Sequence, residues 1–433
     1  MEFLGDFQPQ ITVDILDEQV QRLSDQLDGR DGVAVTVKSD RYDLLAVTLL
    51  AARRARRPVL VMDSAARAPE VSALMERVGS DCLIEPADSS RHWSLNLRRA
   101  QSRVLDGLSD HVLLASSGTT GVPKLVIRRA ASLDEEVLST HRALGIDRSA
   151  NFTLVVAVSP SYAFGFVQGL WAVMEAGGRC YQLRTHTASA LERALSAVSS
   201  TLLLAPPGLI GVWSRREPRT TCHAGVALTG GTPLAESVRL DFQTRWRTPV
   251  RELYGSTEAG VVAMTDSEGR MKLLPEVDSR VDDKNELSVR SPFSGTLLND
   301  DRAAREWVAL GDRVQVSPGG YLSLGGRVDS GIDLNGRLVD PHEIELATLT
   351  ISGVVEAKIV ELVRASKKQL VLFYAGSLSK QVVIQELSSI VSPHKVPARA
   401  VHLPELPKTV RGKIDVDRLR LEFGIEDASV ASL

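Results

Sequence analysis

Cysteine is scarce in this 433-residue chain, which has only Cys82, Cys180 and Cys222. They are odd in number and far apart, so neither a disulfide framework nor zinc-ligand spacing follows, and a reducing cytosol fits best. Net charge is nearly absent too, with 51 Lys and Arg against 54 Asp and Glu, a balance of −3. No positive excess exists to attract nucleic acid or a membrane surface. No apolar run approaches the roughly eighteen residues of a membrane helix. The opening residues MEFLGDFQPQ carry acids where a secretory signal needs a basic region and an apolar core. The eight histidines are scattered without HxxxH or CxxC partners, so no metal-ligand cluster is expected. A cytoplasmic globular protein of two or three domains is the expectation, with no nucleic-acid or membrane partner.

What is present is alternation. Gly32–Val37 reads as a strand, Tyr42–Arg57 as a helix, Pro58–Asp63 as a strand, Pro69–Val78 as a helix and Cys82–Glu85 as a strand. Thr153–Val158, Thr201–Ala205 and Ala224–Leu228 continue the pattern. Strand–helix–strand repetition predicts an α/β fold with parallel sheets flanked by helices. The basic run Arg53–Arg57 closes a predicted helix, where dipole complementation and solvation are its expected roles. From about Val281 to Leu324, short alternating runs separated by turns predict an antiparallel or barrel-like subdomain. After Gly325-Gly326 come a helix from near Pro341, strands at Val355–Val363 and Gln369–Tyr374, and a helix over Ser379–Val391. The expected division is an N-terminal domain, 1–328, and a smaller α+β domain, 329–433.

The most informative stretch is Ser116-Ser117-Gly118-Thr119-Thr120-Gly121-Val122-Pro123-Lys124, directly after the apolar strand His111–Ala115. Glycines let backbone N–H groups approach an anion, while hydroxyls and a lysine add donors and charge. This is phosphate-cradling chemistry. It is not a Walker A loop, because Lys124 lies between Pro123 and Leu125 rather than between a glycine and a hydroxyl. Alone, the stretch also fits a flexible Ser/Gly turn. Further on, Tyr254-Gly255-Ser256-Thr257-Glu258 offers an aromatic plate, hydroxyls and a carboxylate. Gly311-Asp312 places an acid after a tight turn, Gly326-Arg327-Val328-Asp329 leads to the second domain, and Pro407-Lys408-Thr409-Val410-Arg411-Gly412-Lys413 lies near the C-terminus.

Together and in this order, these motifs resemble the adenylate-forming superfamily of acyl-CoA synthetases, peptide adenylation domains and luciferases, over nearly the whole chain. The resemblance implies ATP-dependent activation of a carboxylic acid to acyl-AMP with release of pyrophosphate, then transfer to a thiol. It implies that the Ser116–Lys124 loop closes over ATP phosphates, that Gly230, Gly231 and Thr232 lie beside adenine, and that Tyr254 stacks on the base, flanked by Gly255 and Ser256. Thr257 then bonds phosphate, Glu258 holds Mg²⁺, Asp312 binds the ribose hydroxyls and Arg327 assists. Asp329 matches the hinge of a mobile C-terminal domain, Gly336 the glycine beside the thiol tunnel, and Lys413 the lysine that reaches the carboxylate and α-phosphate. Singly, Glu258 also reads as a turn acid, Asp312 as a cap and Arg327 as an ion-pair partner.

The segment Ser159-Pro160-Ser161-Tyr162-Ala163-Phe164-Gly165-Phe166 falls where the family builds its acyl pocket. It lacks both the aspartate of amino-acid-activating members and the histidine of many fatty-acyl and coumaroyl members. Its Tyr-Ala-Phe-Gly-Phe series resembles benzoate-type aryl ligases, which implies a small aryl or unsaturated acid contacting Tyr162, Ala163, Phe166 and Gly230; core packing is the plain alternative. The thiol partner is CoA or the phosphopantetheine arm of an acyl carrier protein, and the resemblance leaves a homodimer open. Fatty- or amino-acid adenylation for a carrier, amide ligation, or a non-catalytic adenylate-binding role on the same fold are the other readings. Asp333 stands where many relatives carry lysine, and the phosphate loop comes early in the chain.

Overall fold

Four apolar runs, Val35–Lys38, Val59–Met62, Cys82–Pro86 and His111–Ser116, lie side by side as parallel strands. Their near-continuous hydrophobicity is what burial under helices on both faces requires. The computed structural model describes residues 2–5, 8–11, 13–87, 93–97, 108–116, 124–146, 152–298, 307–328, 332–334, 337–364, 367–409 and 413–424. In it these four strands form the centre of a seven-stranded sheet, bordered by antiparallel strands Trp93–Leu97 on one side and Lys124–Arg129 on the other. The helices Tyr42–Arg54 and Ala68–Val78 connect them. The second stops at Gly79, whose φ of +66° is the left-handed C-cap that glycine adopts at little cost.

The basic run departs from expectation. The helix ends at Arg54, so only Arg53 and Arg54 occupy its last turn. Arg57 is instead 3% exposed and donates to the carbonyls of Leu27, Val33 and Ala34 and to the buried Asp81. A guanidinium has five donors in a fixed fork, which suits it to clasp several carbonyls at once.

The second sheet has thirteen strands. Glu2–Gly5, Arg179–Gln182, Thr153–Val156, Ser200–Leu204, Ala224–Gly230 and Val250–Ser256 run parallel in that spatial order. Beyond Val250–Ser256 the direction alternates through Gly260–Thr265, Met271–Leu273, Tyr321–Arg327, Val308–Ser317, Glu286–Arg290 and Asp278–Val281. The expected antiparallel region is therefore present. It begins earlier than Val281 and is joined edge to edge to the parallel strands.

Near the C-terminus, the long hairpin Val354–Arg364 and Lys367–Gly376 carries Arg399–Leu403 as a parallel third strand. The helix Pro341–Leu349 starts where its sequence dictates: Asp340 accepts the His342 N–H at 2.9 Å and proline fills the first turn. This sheet has its own apolar clusters, including Ile344, Leu372, Tyr374 and Leu387 on one face and Val360, Phe373 and Leu419 on the other.

Candidate active site

Open α/β sheets bind ligands outside the carboxyl ends of their strands, and the expected site residues gather at such ends. Ser116 ends the strand His111–Ser116, Gly230 ends Ala224–Gly230, Ser256 ends Val250–Ser256, and Tyr162 follows Thr153–Val156. The chain turns back after Ser116, and Lys124 sits directly opposite it in the antiparallel ladder. Ser117, Gly118, Thr119, Thr120 and Gly121 lie outside the described residues, as do Asp329 and Gly336.

Tyr254 and Asp312 meet. The Tyr254 hydroxyl donates to Asp312 Oδ2 at 2.8 Å, across two strands far apart in sequence. Burial, then the neighbouring Asp312 charge, pushes the Tyr254 phenol well up, so it stays protonated as a donor. Arg327 Nη1 lies 3.5 Å from Asp312 Oδ1 and from the Leu310 carbonyl. The expected tight turn at Gly311-Asp312 is absent, and both residues lie inside the strand Val308–Ser317. A bulge re-aims the acid instead: Gly311 has φ +74°, and the register against Tyr321–Arg327 shifts between Asp312 and Val314.

Thr257 and Glu258 occupy the reversal between Val250–Ser256 and Gly260–Thr265. A Cβ on Gly255 would stand 2.1 Å from the Gly260 carbonyl oxygen, so only glycine lets the two strands close here. The turn is held at each step. Arg128 Nη1 donates to the Thr257 carbonyl at 3.3 Å, Gly295 N–H to the Glu258 carbonyl at 2.7 Å, and Ala259 N–H to Ser256 Oγ at 3.0 Å. Among the described residues no group of three His, Cys, Asp or Glu side chains is placed to hold a metal.

The Gly230-Gly231-Thr232 loop follows its strand as expected. Gly231 has φ +94°, and a Cβ on Gly230 would lie 2.8 Å from the Leu253 carbonyl oxygen. The loop is tied down by a residue that sequence reading passed over: Glu252 Oε2 accepts the Leu234 N–H at 3.0 Å. Burial pushes the Glu252 carboxyl up to about 7, against the opposing effects of that N–H and of Arg239. Its spacing, two residues before Tyr254 on a strand, was the available signal, since such residues share a face.

The acyl segment is partly corrected. Tyr162 is half-buried, and its hydroxyl donates to Asp63 at the end of another parallel strand. Ala163 is partly exposed and opens a short helix. Phe166, however, is fully buried, its ring centroid 6.0 Å from that of Trp171. It offers no surface to a substrate and belongs to the core. It also begins a π-helical turn, Phe166–Trp171, a wide coil that is rare and frequently found at functional sites.

Lys413 is exposed. Its carbonyl accepts the Thr409 N–H at 2.8 Å, and Lys408 bridges to Ile414. Lys408 pairs with Glu356 and packs beside Gly208 of the large sheet's helix Pro207–Ser214.

Residues 109–301 match the family described as AMP-binding enzyme. The chain is similar to a 4-coumarate–CoA ligase-like protein of rice, 24% identical over 70% of this chain and 61% of that relative. It therefore spans less than two thirds of that relative's length. It is also similar to a 3,4-dihydroxybenzoate–[aryl-carrier protein] ligase of Bacillus anthracis, 26% identical over 72% of this chain and 74% of the relative. In fold it resembles a benzoate CoA ligase from Burkholderia xenovorans, with TM-score 0.79, 18% identity and 96% of both chains covered. Residues 109–301 are thus similar to the AMP-binding enzyme family, on a fold like that of a solved benzoate CoA ligase.

Proposed function

We propose that the chain activates a small carboxylic acid with ATP and passes the acyl group to a thiol. In the first step a carboxylate oxygen attacks the α-phosphorus, the bond to the β-phosphate breaks, and pyrophosphate leaves. In the second a thiol sulfur attacks the acyl carbon, AMP leaves, and the thiol proton passes to solvent. The observation that carries this reading is the Tyr254–Asp312–Arg327 group, which offers a ring, a carboxylate and a cation to one nucleoside. Asp312 would accept the ribose hydroxyls while Tyr254 keeps it oriented. Mg²⁺ held by Glu258 would supply charge neutralisation between two anions that must meet. Thr257 and Lys124, at the edges of the phosphate-facing loops, would donate to phosphate.

The acid we propose is aryl or unsaturated. The aryl names of the relatives support this. CoA or a carrier phosphopantetheine would be the acceptor, with residues 329–433 turning about Asp329 to bring Lys413 in for the first step and Gly336 beside the thiol for the second. ATP–pyrophosphate exchange over aryl, fatty and amino acids tests the reading, followed by mass spectrometry with CoA and with a holo carrier protein. Lys413→Ala is expected to lower exchange by about 10²–10³-fold, as loss of one contact to developing charge does, with an unchanged melting temperature. Exchange near wild type in that variant, or a clear preference for an amino acid, would overturn the corresponding part.

A further inference from the structure

Beneath the Thr257–Glu258 turn lies a buried polar group that none of the expected motifs contains. Arg128, Glu136 and Gln168 are 1%, 3% and 0% exposed. Arg128 sits on the strand that leaves the phosphate loop, Glu136 on the following helix Ala130–Leu144, and Gln168 in the π-helical turn behind Tyr162. Arg128 Nη2 donates to Glu136 Oε2 at 2.5 Å, and Gln168 Nε2 lies 3.5 Å from Glu136 Oε1. Both charged residues then reach the same turn. Arg128 Nη1 donates to the Thr257 carbonyl at 3.3 Å, and Glu136 Oε1 accepts the Val261 N–H at 3.1 Å. The two contacts bracket Glu258.

The backbone is shaped to admit them. A Cβ on Gly260, where φ is +73°, would fall 2.6 Å from Glu136 Oε2, and one on Gly295 would fall 2.6 Å from Arg128 Cδ. Gly295 itself donates to the Glu258 carbonyl. A buried ion pair is weak evidence for stability, since well-packed apolar residues often serve as well or better. Its presence here calls for a role that apolar residues cannot fill, and gripping a carbonyl and an N–H at opposite ends of a four-bond turn is such a role.

We infer that Arg128 and Glu136 are positioning residues that set the height and orientation of the Thr257–Glu258 turn, and that Gln168 links this setting to the acyl segment. The inference rests on the proposed roles of Thr257 in phosphate binding and Glu258 in metal binding. It makes the acid-side helix and the metal-side turn one polar unit, further joined where Trp171 Nε1 donates to Asp134 at 2.8 Å.

The test uses the full chain as wild type, as Arg128→Lys, and as the double variant Arg128→Met/Glu136→Met. Lysine keeps the charge pair but lacks the fork that reaches Glu136 and Thr257 together. The methionine pair keeps volume and removes both charges, so the fold is not left with a lone buried ion. Two readouts are taken: amide hydrogen exchange of peptides spanning residues 254–262, and Mn²⁺·ATP binding followed by the electron paramagnetic resonance of Mn²⁺. With melting temperatures held, both variants are expected to exchange about tenfold faster or more in that peptide alone, as local opening does. Mn²⁺·ATP affinity is expected to fall about tenfold or more, against little change for metal-free ATP; a displaced group about 1 Å from its place costs on this scale. Exchange and affinity within about twofold of wild type in both variants would overturn the inference, as would full rescue by lysine. A wild-type protein that binds no Mn²⁺·ATP would sink the proposed function, while the exchange data would still decide whether the pair holds the turn.

Discussion

Tyr254 shows how a residue legible in sequence gains a second task in the structure. Its place before Gly-Ser-Thr-Glu suggested a plate for a base, yet its hydroxyl also holds Asp312. Tyr254→Phe keeps the plate and frees the acid. The expected result is a KM for ATP raised about tenfold, the equivalent of about 1.4 kcal/mol, with kcat little changed; an unchanged KM would show that Asp312 needs no such support. Glu252 was legible only as a same-face neighbour of Tyr254; its significance lies in the Leu234 N–H it accepts, which a sequence does not show. Its carboxyl is raised from the ordinary 4.5 to about 7, so the folded protein binds the proton more tightly than the unfolded chain does. That contribution to stability is full below pH 4.5 and is lost as pH rises towards and through 7. Glu252→Gln should flatten this part of the stability–pH curve in denaturant titrations; an equally steep loss in the variant would point to another group.

At the scale of elements, the strands and helices expected from apolar runs and their punctuation lie within a few residues of their places, whereas the helices Val13–Leu27 and Ala130–Leu144 carried no expectation. What escaped was how one element enters another. Gly311-Asp312 reads as a turn because glycine before an acid is turn chemistry, whereas the ladder on both sides makes it a bulge. Phe166 reads as a pocket residue because of its neighbours, whereas the π-helical turn rotates it into the core. Arg128 had a signal, in that alternation along Lys124–Arg129 places it on the face of the buried Val126. Two substitutions probe these junctions. Gly255→Ala forces a Cβ against the Gly260 carbonyl and should destabilise by about 1–3 kcal/mol or more, read from chemical denaturation together with lost nucleotide binding. Arg57→Ala removes the clasp on Asp81 and three carbonyls. An uncompensated buried charge costs about 3–5 kcal/mol; a loss below about 1 kcal/mol would mean that Arg30, 2.5 Å from Asp81, suffices alone.

For the whole molecule, the sequence's few cysteines find a consistent setting. Cys82 and Cys180 are fully buried and Cys222 is 5% exposed. Burial pushes the Cys82 thiol up to about 12, and raises Cys180 and Cys222 as well. Thiolate is the reactive form, so an aromatic disulfide reagent at neutral pH should label none of the three until denaturant is added. Rapid native labelling would contradict this packing. The thirteen-stranded sheet also bears on how the chain is made. Its strand at Glu2–Gly5 has its parallel partner in Arg179–Gln182, which a ribosome adding about 5–20 residues per second delivers some ten seconds or more later. During translation the first strand can pair with its antiparallel neighbour Gln8–Ile11, yet it must wait for the body of its own sheet while the whole of the other sheet's parallel centre can form. The edge of the largest sheet is thus an early-made pair of strands that is docked late, placed there by residues synthesised long after it.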